Sequence, residues 1–225
     1  MGTVAETRTE TPTGRSIWLD VPDWAGNLAG QHVDVRLTAP DGYQATRSYS
    51  VASAGPEPRV QLAVDKLPDG EVSPYLVDDL MVGDQVELRG PLGGWFVWKP
   101  ELTQPVQLIA GGSGVVPLVA MIRSHRASGS SVPMQLLYSV RRPGDRFFAD
   151  ELGALDNVTY RYTREAPEGM PVGRLTKEAL AAATLAPGAA VFVCGPTGFV
   201  ESVATWLVEL GHDAAAVKTE RFGGK

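Results

Sequence analysis

Cysteine is almost absent from this sequence, since Cys194 is the only thiol in 225 residues. One thiol excludes an internal disulfide, and it cannot supply the four cysteines of an iron–sulfur cluster or a cysteine-rich zinc site. Histidine is scarce too, because His32, His125 and His212 are the only three and lie too far apart to show metal-ligand spacing. We therefore expect no metal site in these residues.

Positive charge is also in short supply. The formal net charge is −6, which argues against a nucleic-acid partner, because phosphate binding needs a basic face. The imbalance is local: residues 1–101 hold 8 Lys or Arg against 15 Asp or Glu (net −7), while residues 102–225 hold 12 against 11 (net +1). The second half is therefore the better place for an anionic ligand.

One long segment without charge runs for 21 residues from Leu102 to Ile122. That length could span a bilayer, but prolines, glutamines and the run Gly111-Gly112-Ser113-Gly114 interrupt it. We predict a buried strand, a tight turn and a helix start, with no membrane insertion. The first ten residues contain acidic side chains and no apolar run, so we expect no secretory signal and a cytoplasmic protein.

The first hundred residues are divided into short segments by Gly, Pro and Asp. Alternating or continuous apolar runs lie between them, as in 16–19, 32–37, 60–64 and 85–88. This pattern predicts antiparallel strands in a small barrel or sandwich. One helix is predicted from Pro74 to Leu80, with Ser73 as its N-cap.

From about residue 102 the pattern changes to alternating strands and helices. Strands are predicted at 106–110, 134–140 and 190–193, with helices after 114, at 176–184 and at 198–210. Continuous apolar strands that alternate with helices indicate a parallel sheet covered on both faces. We therefore predict two domains: an antiparallel β-barrel at 1–101 and an α/β domain with a parallel sheet at 102–225.

The run from Gly111 to Pro117 follows a predicted strand and opens a helix. Glycines let a backbone approach a pyrophosphate, and a helix N-terminus offers free N–H groups to an anion. An ordinary strand-to-helix turn is the alternative. A hydrolase nucleophile elbow does not fit, because Val115 stands where that motif needs glycine.

Two segments of the first half carry weaker signals. Gly70-Glu71-Val72-Ser73-Pro74 is a glycine turn leading into a capped helix, which either binds an anion or is merely capped. Arg47-Ser48-Tyr49-Ser50 lies on a predicted strand and offers a cation, a flat ring and a hydroxyl. Taken alone, this second group of residues is unremarkable.

Six motifs occur in an order that resembles the ferredoxin–NADP reductase superfamily. In chain order they are Arg47-Ser48-Tyr49-Ser50, Gly70-x-x-Ser73, Gly90-Pro91-Leu92-Gly93-Gly94, Gly112-Ser113-Gly114-x-x-Pro117, Cys194-Gly195-Pro196 and Glu220-x-Phe222. The resemblance covers nearly the whole chain. It implies an FAD- and NAD(P)-binding oxidoreductase without a fused iron–sulfur domain, built from a flavin-binding barrel and a nucleotide-binding α/β domain.

The resemblance assigns the flavin to the strand motif of residues 47–50 and to the turn of residues 70–73. Arg47 would pair with the flavin phosphate, Ser48 would belong to the same strand motif, Tyr49 would pack on the isoalloxazine, and Ser50 would lie near N5. The turn of Gly70, Glu71, Val72 and Ser73 would bind the pyrophosphate. FAD is the usual cofactor of the family, and FMN is the alternative.

The resemblance assigns the pyridine nucleotide to the second half. The turn of Gly112, Ser113, Gly114 and Pro117 would hold its pyrophosphate, and Cys194, Gly195 and Pro196 would lie beside the nicotinamide. Glu220 would act as a proton relay or electrostatically, and Phe222 would cover the flavin; Ser50, Cys194 and Glu220 would thus be the catalytic set. Cys194 is also consistent with a small core residue, and Phe222 with a core or tail residue. The chain departs from the plant-type pattern by continuing through Gly223-Gly224-Lys225.

Arginines follow the second predicted strand of the α/β domain. Arg141 and Arg142 come directly after Val140, whereas the nearest acidic residue, Asp145, lies further along. An acidic residue at this place binds the ribose of NAD, and arginine accommodates the 2′-phosphate of NADP. The sequence therefore favours NADPH over NADH as electron donor, with surface cations as the alternative.

The sequence thus predicts a flavin-dependent NAD(P)H oxidoreductase with an external acceptor, such as a ferredoxin or an oxygenase component. Hydride transfer needs stacked rings and no strong acid or base, so the absence of an obvious catalytic histidine is consistent with it. The alternatives are a flavin or quinone reductase with a diffusible acceptor, and a subunit that binds both nucleotides without turnover. The sequence indicates no particular oligomeric state.

Overall fold

A computed structural model describes residues 1–222. These residues form two β-sheets. We call the part that holds the first sheet the β lobe (2–92) and the part that holds the second sheet the α/β lobe (106–222). The β lobe holds six strands: β1 (Gly2–Thr11), β2 (Gly14–Asp20), β3 (His32–Thr38), β4 (Gln44–Ser50), β5 (Arg59–Asp65) and β6 (Gln85–Leu92). All their pairings are antiparallel, in the order β4-β3-β6-β1-β2-β5.

The β lobe closes on itself. An antiparallel bridge joins Val51, just after β4, to Leu62 on β5, so the two outer strands of the sheet meet. Inward-facing side chains fill the interior, among them Val33 and Val35 of β3 and Val60 of β5. The antiparallel barrel predicted from alternation is confirmed.

The helix predicted at Pro74 to Leu80 is present in altered form. It is one π-helical turn, Tyr75–Asp79, with Pro74 as its N-cap. Ser73 does not cap it, because its Oγ accepts a hydrogen bond from Leu67 N at 3.0 Å. The prediction of a Ser73 cap is therefore wrong: the preceding loop folds back and takes the hydroxyl.

The α/β lobe holds a five-stranded parallel sheet in the order β11-β10-β7-β8-β9. Its strands are β7 (Val106–Gly111), β8 (Met134–Val140), β9 (Val158–Tyr162), β10 (Ala190–Pro196) and β11 (Val217–Phe222). Its helices are α1 (Val115–Ala127), α2 (Ala149–Gly153), α3 (Lys177–Ala183) and α4 (Thr197–Glu209). No helix within residues 1–222 combines the length and hydropathy needed to cross a membrane.

The order of these strands creates a switch point. The chain runs outward from β7 through β8 to β9 and then returns to place β10 on the other side of β7. Ligands of open parallel sheets bind where such a reversal separates two loops at the carboxyl ends of the strands. In this chain those loops follow Gly111 on β7 and Cys194-Gly195-Pro196 on β10.

The two lobes share a core. One buried cluster contains Phe96 and Trp98, which follow the barrel, together with Val119 and Met121 of α1 and Phe192 of β10. Phe96 and Phe192 meet edge to face with 5.5 Å between ring centroids. Apolar contact of this kind joins β10 and α1 to the segment that follows the barrel.

Candidate functional site

Strand register brings residues from both lobes to the boundary between them. On the barrel, Ser50 of β4 pairs with His32 of β3. In the parallel sheet, Cys194 of β10 pairs with Glu220 of β11. His32 Nδ1 lies 3.5 Å from Glu220 Oε1 and so connects the two pairs. The pairings and this contact therefore bring Ser50, Cys194 and Glu220, the three residues predicted as catalytic, to the same part of the boundary.

Ser50 is buried, with 5% of its surface exposed. Its Oγ has no hydrogen-bond partner among residues 1–222. A buried hydroxyl without a partner loses the free energy of its hydrogen bonds to water, roughly 1–3 kcal/mol. The side chain is therefore suited to a ligand that supplies the missing partner.

The side chains of Arg47 and Tyr49 project from one face of β4, two residues apart. Arg47 is exposed and pairs with the Glu71 carboxylate, whose other oxygen accepts a hydrogen bond from Tyr43 Oη at 2.7 Å. Burial raises the pKa of Tyr49 to about 12, so its ring remains neutral. Ser48 points to the opposite face and donates to Asp34 Oδ1 at 2.6 Å.

The predicted pyrophosphate turn lies next to this strand. The Arg47–Glu71 pair joins β4 to the turn of residues 70–73. Within the turn, Val72 and Ser73 are buried and Glu71 is exposed. The two segments that the sequence suggests for flavin binding are thus adjacent, with Arg47 held by a carboxylate.

The glycine turn after β7 packs directly against the end of β10. Gly112 has φ +55° and begins a 3-10 turn, Gly112–Gly114, that includes Ser113. A Cβ on Gly114 would lie 2.3 Å from the Cys194 carbonyl oxygen, so only glycine fits there. A Cβ on Gly112 would meet no described atom of the chain within 4 Å, which leaves open space beside the turn. Pro117 is buried in the first turn of α1 and shapes the start of that helix.

The thiol of Cys194 is buried with no exposed surface. Burial, and secondarily the nearby Glu220 carboxylate, raise its pKa well above the usual range. The side chain is therefore a neutral thiol and a poor nucleophile. Gly195 is buried and Pro196 exposed, so the chain reaches the surface at this turn.

Glu220 is the most perturbed carboxyl of the site. Burial raises its pKa to about 7, and its Oε2 has no hydrogen-bond partner among residues 1–222. A carboxyl group with this pKa can hold or release a proton near neutral pH.

Phe222 lies at the end of β11. It pairs in register with Pro196 and packs on the shared core while remaining partly exposed. The extension Gly223-Gly224-Lys225, which the sequence sets against the stacking role of Phe222, lies outside the described residues.

The arginines after β8 have acidic neighbours. Arg142 Nε lies 3.7 Å from Glu165 Oε2. Arg141 is close enough to Asp65 to lower the pKa of that carboxyl, although burial raises it more. Both arginines are exposed on the surface of the α/β lobe.

Sequence reasoning missed His32 as a site residue and weighed it only as a metal ligand. No cluster able to hold a metal ion occurs among residues 1–222. The importance of His32 depends on its pairing with Ser50 and on its contact with Glu220. Both are long-range relationships that local sequence patterns do not encode.

The residues present fit a flavin and a dinucleotide. Ser50 Oγ and Glu220 Oε2 are buried polar atoms without hydrogen-bond partners in the described part of the chain. The flavin ring system carries nitrogen and oxygen atoms that bond to such groups. Arg47 offers a charge for a phosphate. The open face of Gly112, at the switch point, allows a pyrophosphate to approach the backbone.

Two family models match the chain. An oxidoreductase FAD-binding domain matches residues 15–97, and an oxidoreductase NAD-binding domain matches residues 108–205. The first covers most of the β lobe and the second most of the α/β lobe.

The chain also resembles characterised proteins. The toluate 1,2-dioxygenase electron transfer component of Pseudomonas putida is 30% identical over 201 residues, which cover 87% of this chain and 58% of that protein. NADH oxidoreductase HCR of Escherichia coli K12 is 32% identical over 212 residues, covering 90% of this chain and 62% of that protein. The chain thus spans little more than half the length of these curated relatives.

Among solved structures, the flavohem-like FAD/NAD-binding domain of nitric oxide dioxygenase from Vibrio cholerae O1 biovar El Tor superimposes with a TM-score of 0.87. It is 26% identical, and the match covers 99% of this chain and 98% of that one. With two oxidoreductase domains matched in this order on the two predicted lobes, the chain belongs to the ferredoxin–NADP reductase superfamily of FAD- and NAD-binding oxidoreductases.

Proposed function

We propose that this chain takes a hydride from NAD(P)H onto bound FAD and passes the electrons singly to an external redox protein. The observation that carries the proposal is that strand pairing and the His32–Glu220 contact bring Ser50, Cys194 and Glu220 to the boundary between the lobes. Two buried polar atoms there, Ser50 Oγ and Glu220 Oε2, have no hydrogen-bond partner among residues 1–222. A polar ring system bound between the lobes would supply hydrogen-bond partners for these two atoms.

In this proposal the β lobe holds the flavin. Arg47 binds its phosphate, the turn of Gly70, Glu71, Val72 and Ser73 binds its pyrophosphate through the backbone, and Tyr49 packs on its ring. Ser50 Oγ, which has no hydrogen-bond partner within residues 1–222, bonds to the flavin ring. When bound, the flavin supplies a two-electron acceptor that can return electrons one at a time.

The α/β lobe holds the dinucleotide. The turn of Gly112, Ser113, Gly114 and Pro117 holds the pyrophosphate, and Cys194-Gly195-Pro196 borders the nicotinamide. Cys194 lines this site as a small uncharged side chain, because its thiol keeps its proton. Phe222 covers the ring face that the nicotinamide approaches, and Glu220 holds or releases a proton.

NADPH is the proposed donor. Arg141 and Arg142 stand where the family recognises the ribose, and their exposed guanidinium groups suit a 2′-phosphate. The Glu165 carboxylate beside Arg142 reduces this preference because it neutralises part of the guanidinium charge.

The proposed acceptor is a redox protein such as a ferredoxin or an oxygenase component. The single cysteine leaves these 225 residues without a cluster of their own. Relatives include electron transfer and reductase components of oxygenases by name.

We propose domains at 1–101 and 102–225. The absence of strand pairing between the two sheets among the described residues supports this division. We also propose a cytoplasmic location, where a free thiol is typical.

The test is anaerobic reduction of the purified chain, reconstituted with FAD, by NADPH and NADH in turn. We expect the flavin absorbance to bleach with either donor, faster with NADPH. A ferredoxin, cytochrome c and a quinone are then supplied as acceptors. Loss of all FAD on gel filtration, or yellow protein that neither donor bleaches, would contradict the proposal and favour a subunit without turnover; reoxidation by the quinone alone would favour a diffusible acceptor.

A further inference from the structure

The Arg47 guanidinium, which the proposed function assigns to the flavin phosphate, holds a carboxylate of its own chain. Its Nη2 donates a hydrogen bond to Glu71 Oε2, and its Nη1 donates to the Thr46 carbonyl at 2.8 Å. Glu71 belongs to the turn of residues 70–73, whose backbone is proposed to bind the same pyrophosphate. An anionic side chain thus joins the two elements that are proposed to bind an anion.

A second side chain fixes Glu71 in this position. Tyr43, in the loop between β3 and β4, donates from its Oη to Glu71 Oε1 at 2.7 Å. Each oxygen of the carboxylate therefore has a donor. The hydrogen bond from Tyr43 and the charge of Arg47 lower the pKa of Glu71, so the group is ionised at neutral pH.

The charges around this pair do not offset the carboxylate. Lys66, the cation closest to Glu71 along the sequence, contacts Asp78 Oδ2 at 3.0 Å. Residues 1–101 hold 8 Lys or Arg against 15 Asp or Glu, a net charge of −7. A phosphate that approaches Arg47 thus meets a lobe of negative net charge and a guanidinium that is already paired.

We propose that Glu71 competes with the flavin phosphate for Arg47 and so lowers the affinity of the chain for FAD. The inference rests on the proposed function, because it requires Arg47 to bind that phosphate. Glu71 must give up or share the guanidinium before a phosphate can pair with it. The competition concerns the phosphate alone, so it weakens binding of FAD and leaves binding of riboflavin, which has no phosphate, unaffected.

The opposite role for Glu71 would be to orient Arg47 toward the phosphate. A carboxylate in that role contacts the guanidinium on the side that faces away from the ligand. Glu71, however, is part of the ligand-binding turn itself, so it contacts Arg47 from the side of that turn. The two roles differ in sign: loss of the carboxylate tightens FAD binding if Glu71 competes and weakens it if Glu71 orients.

Glu71→Gln is the variant that tests the sign. It removes the charge and keeps an amide oxygen that can accept the hydrogen bond from Tyr43. Both Glu71 and Arg47 are about half exposed, with 45% and 53% of their side-chain surfaces accessible. The substitution is therefore not expected to disturb the core.

The matched control is Glu87→Gln, which breaks an ion pair of the same kind in the same lobe. Glu87 of β6 pairs with Arg36 of β3, and their side chains are 41% and 43% exposed. Arg36 lies opposite Thr46 in strand register, so this pair lies on the other face of the sheet from Arg47. The control changes the net charge by the same amount as Glu71→Gln.

Equilibrium dialysis of the flavin-free chains against FAD and against riboflavin gives the two dissociation constants. We expect Glu71→Gln to lower the Kd for FAD ~5-fold, which corresponds to the upper range for an exposed ion pair. The Kd for riboflavin should stay the same. Glu87→Gln should match the parent chain for both flavins.

The double variant Arg47→Ala/Glu71→Gln separates competition for Arg47 from direct repulsion of the phosphate. In the Arg47→Ala background there is no guanidinium to compete for, so adding Glu71→Gln should have little effect on the Kd for FAD. The same gain in that background, or a Kd for FAD that is unchanged or higher in Glu71→Gln alone, would overturn the role of Glu71. Yellow protein that neither NADPH nor NADH bleaches would contradict the proposed function, while the dissociation constants would still decide the role of Glu71.

Discussion

The guanidinium of Arg123, on α1, donates a hydrogen bond to Gln61 Oε1, on β5, at 2.6 Å and so joins the two lobes. The same guanidinium donates to the Ala52 carbonyl at 3.0 Å and pairs with Glu151 of α2 at 2.6 Å. Gln61 is only 3% exposed. One charged side chain therefore satisfies buried acceptors of the β lobe while it remains anchored in the α/β lobe.

Replacing Arg123 should weaken the joint between the lobes. Arg123→Ala leaves the Gln61 amide oxygen without its charged donor, and hydrogen bonds to charged groups contribute about 1.5–3 kcal/mol. We expect the free energy of unfolding in urea to fall by about 2 kcal/mol. Arg59→Ala, which breaks an exposed pair with Asp20, is the control and should change little. Equal effects of the two substitutions would contradict a special role for Arg123.

The second prediction concerns the contact of the two nucleotide loops. Gly114→Ala places a Cβ 2.3 Å from the Cys194 carbonyl oxygen and must separate the loops. We expect loss of NADPH-dependent flavin reduction and a lower melting temperature. Gly198→Ala in α4 is the control, since its Cβ meets no atom of residues 1–222 within 4 Å. Alanine at this helical position should stabilise the control chain by up to ~1 kcal/mol. A Gly114→Ala chain with unchanged flavin reduction and an unchanged melting temperature would show that the loops do not need this close approach.

Ser50 permits a test that separates stability from chemistry. Its Oγ has no partner within residues 1–222, so Ser50→Ala should leave the flavin-free chain equally stable or slightly more so. In the holoprotein the same change should slow hydride transfer ~100-fold, as does loss of one positioned donor elsewhere. Stopped-flow reduction by NADPH measures it, with Ser50→Thr as the conservative variant. A full rate in Ser50→Ala would remove the hydroxyl from the mechanism.

The dinucleotide preference is tested at the end of β8. Arg141→Ala and Arg142→Ala should each raise the KM for NADPH ~10-fold, because a charge-assisted phosphate contact contributes about 1.5–3 kcal/mol. The KM for NADH should stay the same. Arg126→Ala, at the exposed end of α1, serves as the control cation. Parallel changes for both donors would indicate that these arginines do not read the 2′-phosphate.

Sequence alone was most informative where the signal is local. The apolar run at 106–110 followed by Gly111-Gly112-Ser113-Gly114 predicts a strand, turn and helix, and β7 and α1 have that arrangement. Strand β1 lacked such a signal because threonines and charges alternate along it. Strand β11 has a polar sequence, with Lys218, Glu220 and Arg221, and so gave no strand signal either. Both are defined by their neighbours in the sheets rather than by their own hydrophobicity.

The candidate site shows the same division. Motif order and the family resemblance named Ser50, Cys194 and Glu220 individually, but their meeting depends on the pairings β3–β4 and β10–β11. The partner of Arg47, the Glu71 carboxylate, was not predicted, because the glycine turn suggested a role for the backbone only. Long-range contacts of side chains need the assembled fold.

The last prediction follows from the buried carboxyl of Glu220. Burial raises its pKa from 4.5 to about 7, so the folded chain binds this proton more tightly than the unfolded chain does. The stabilisation is complete below pH 4.5 and is lost as pH rises toward and through 7. At roughly 1.4 kcal/mol per pKa unit, the loss approaches ~3 kcal/mol. Urea unfolding of the flavin-free chain at pH 5 and pH 8 measures this loss, with Glu220→Gln as the variant that carries no charge at either pH. We expect Glu220→Gln to gain stability relative to the parent chain on going from pH 5 to pH 8, since other carboxyls contribute equally to both. A constant difference between the two chains would mean that Glu220 is ionised in the folded state at both pH values.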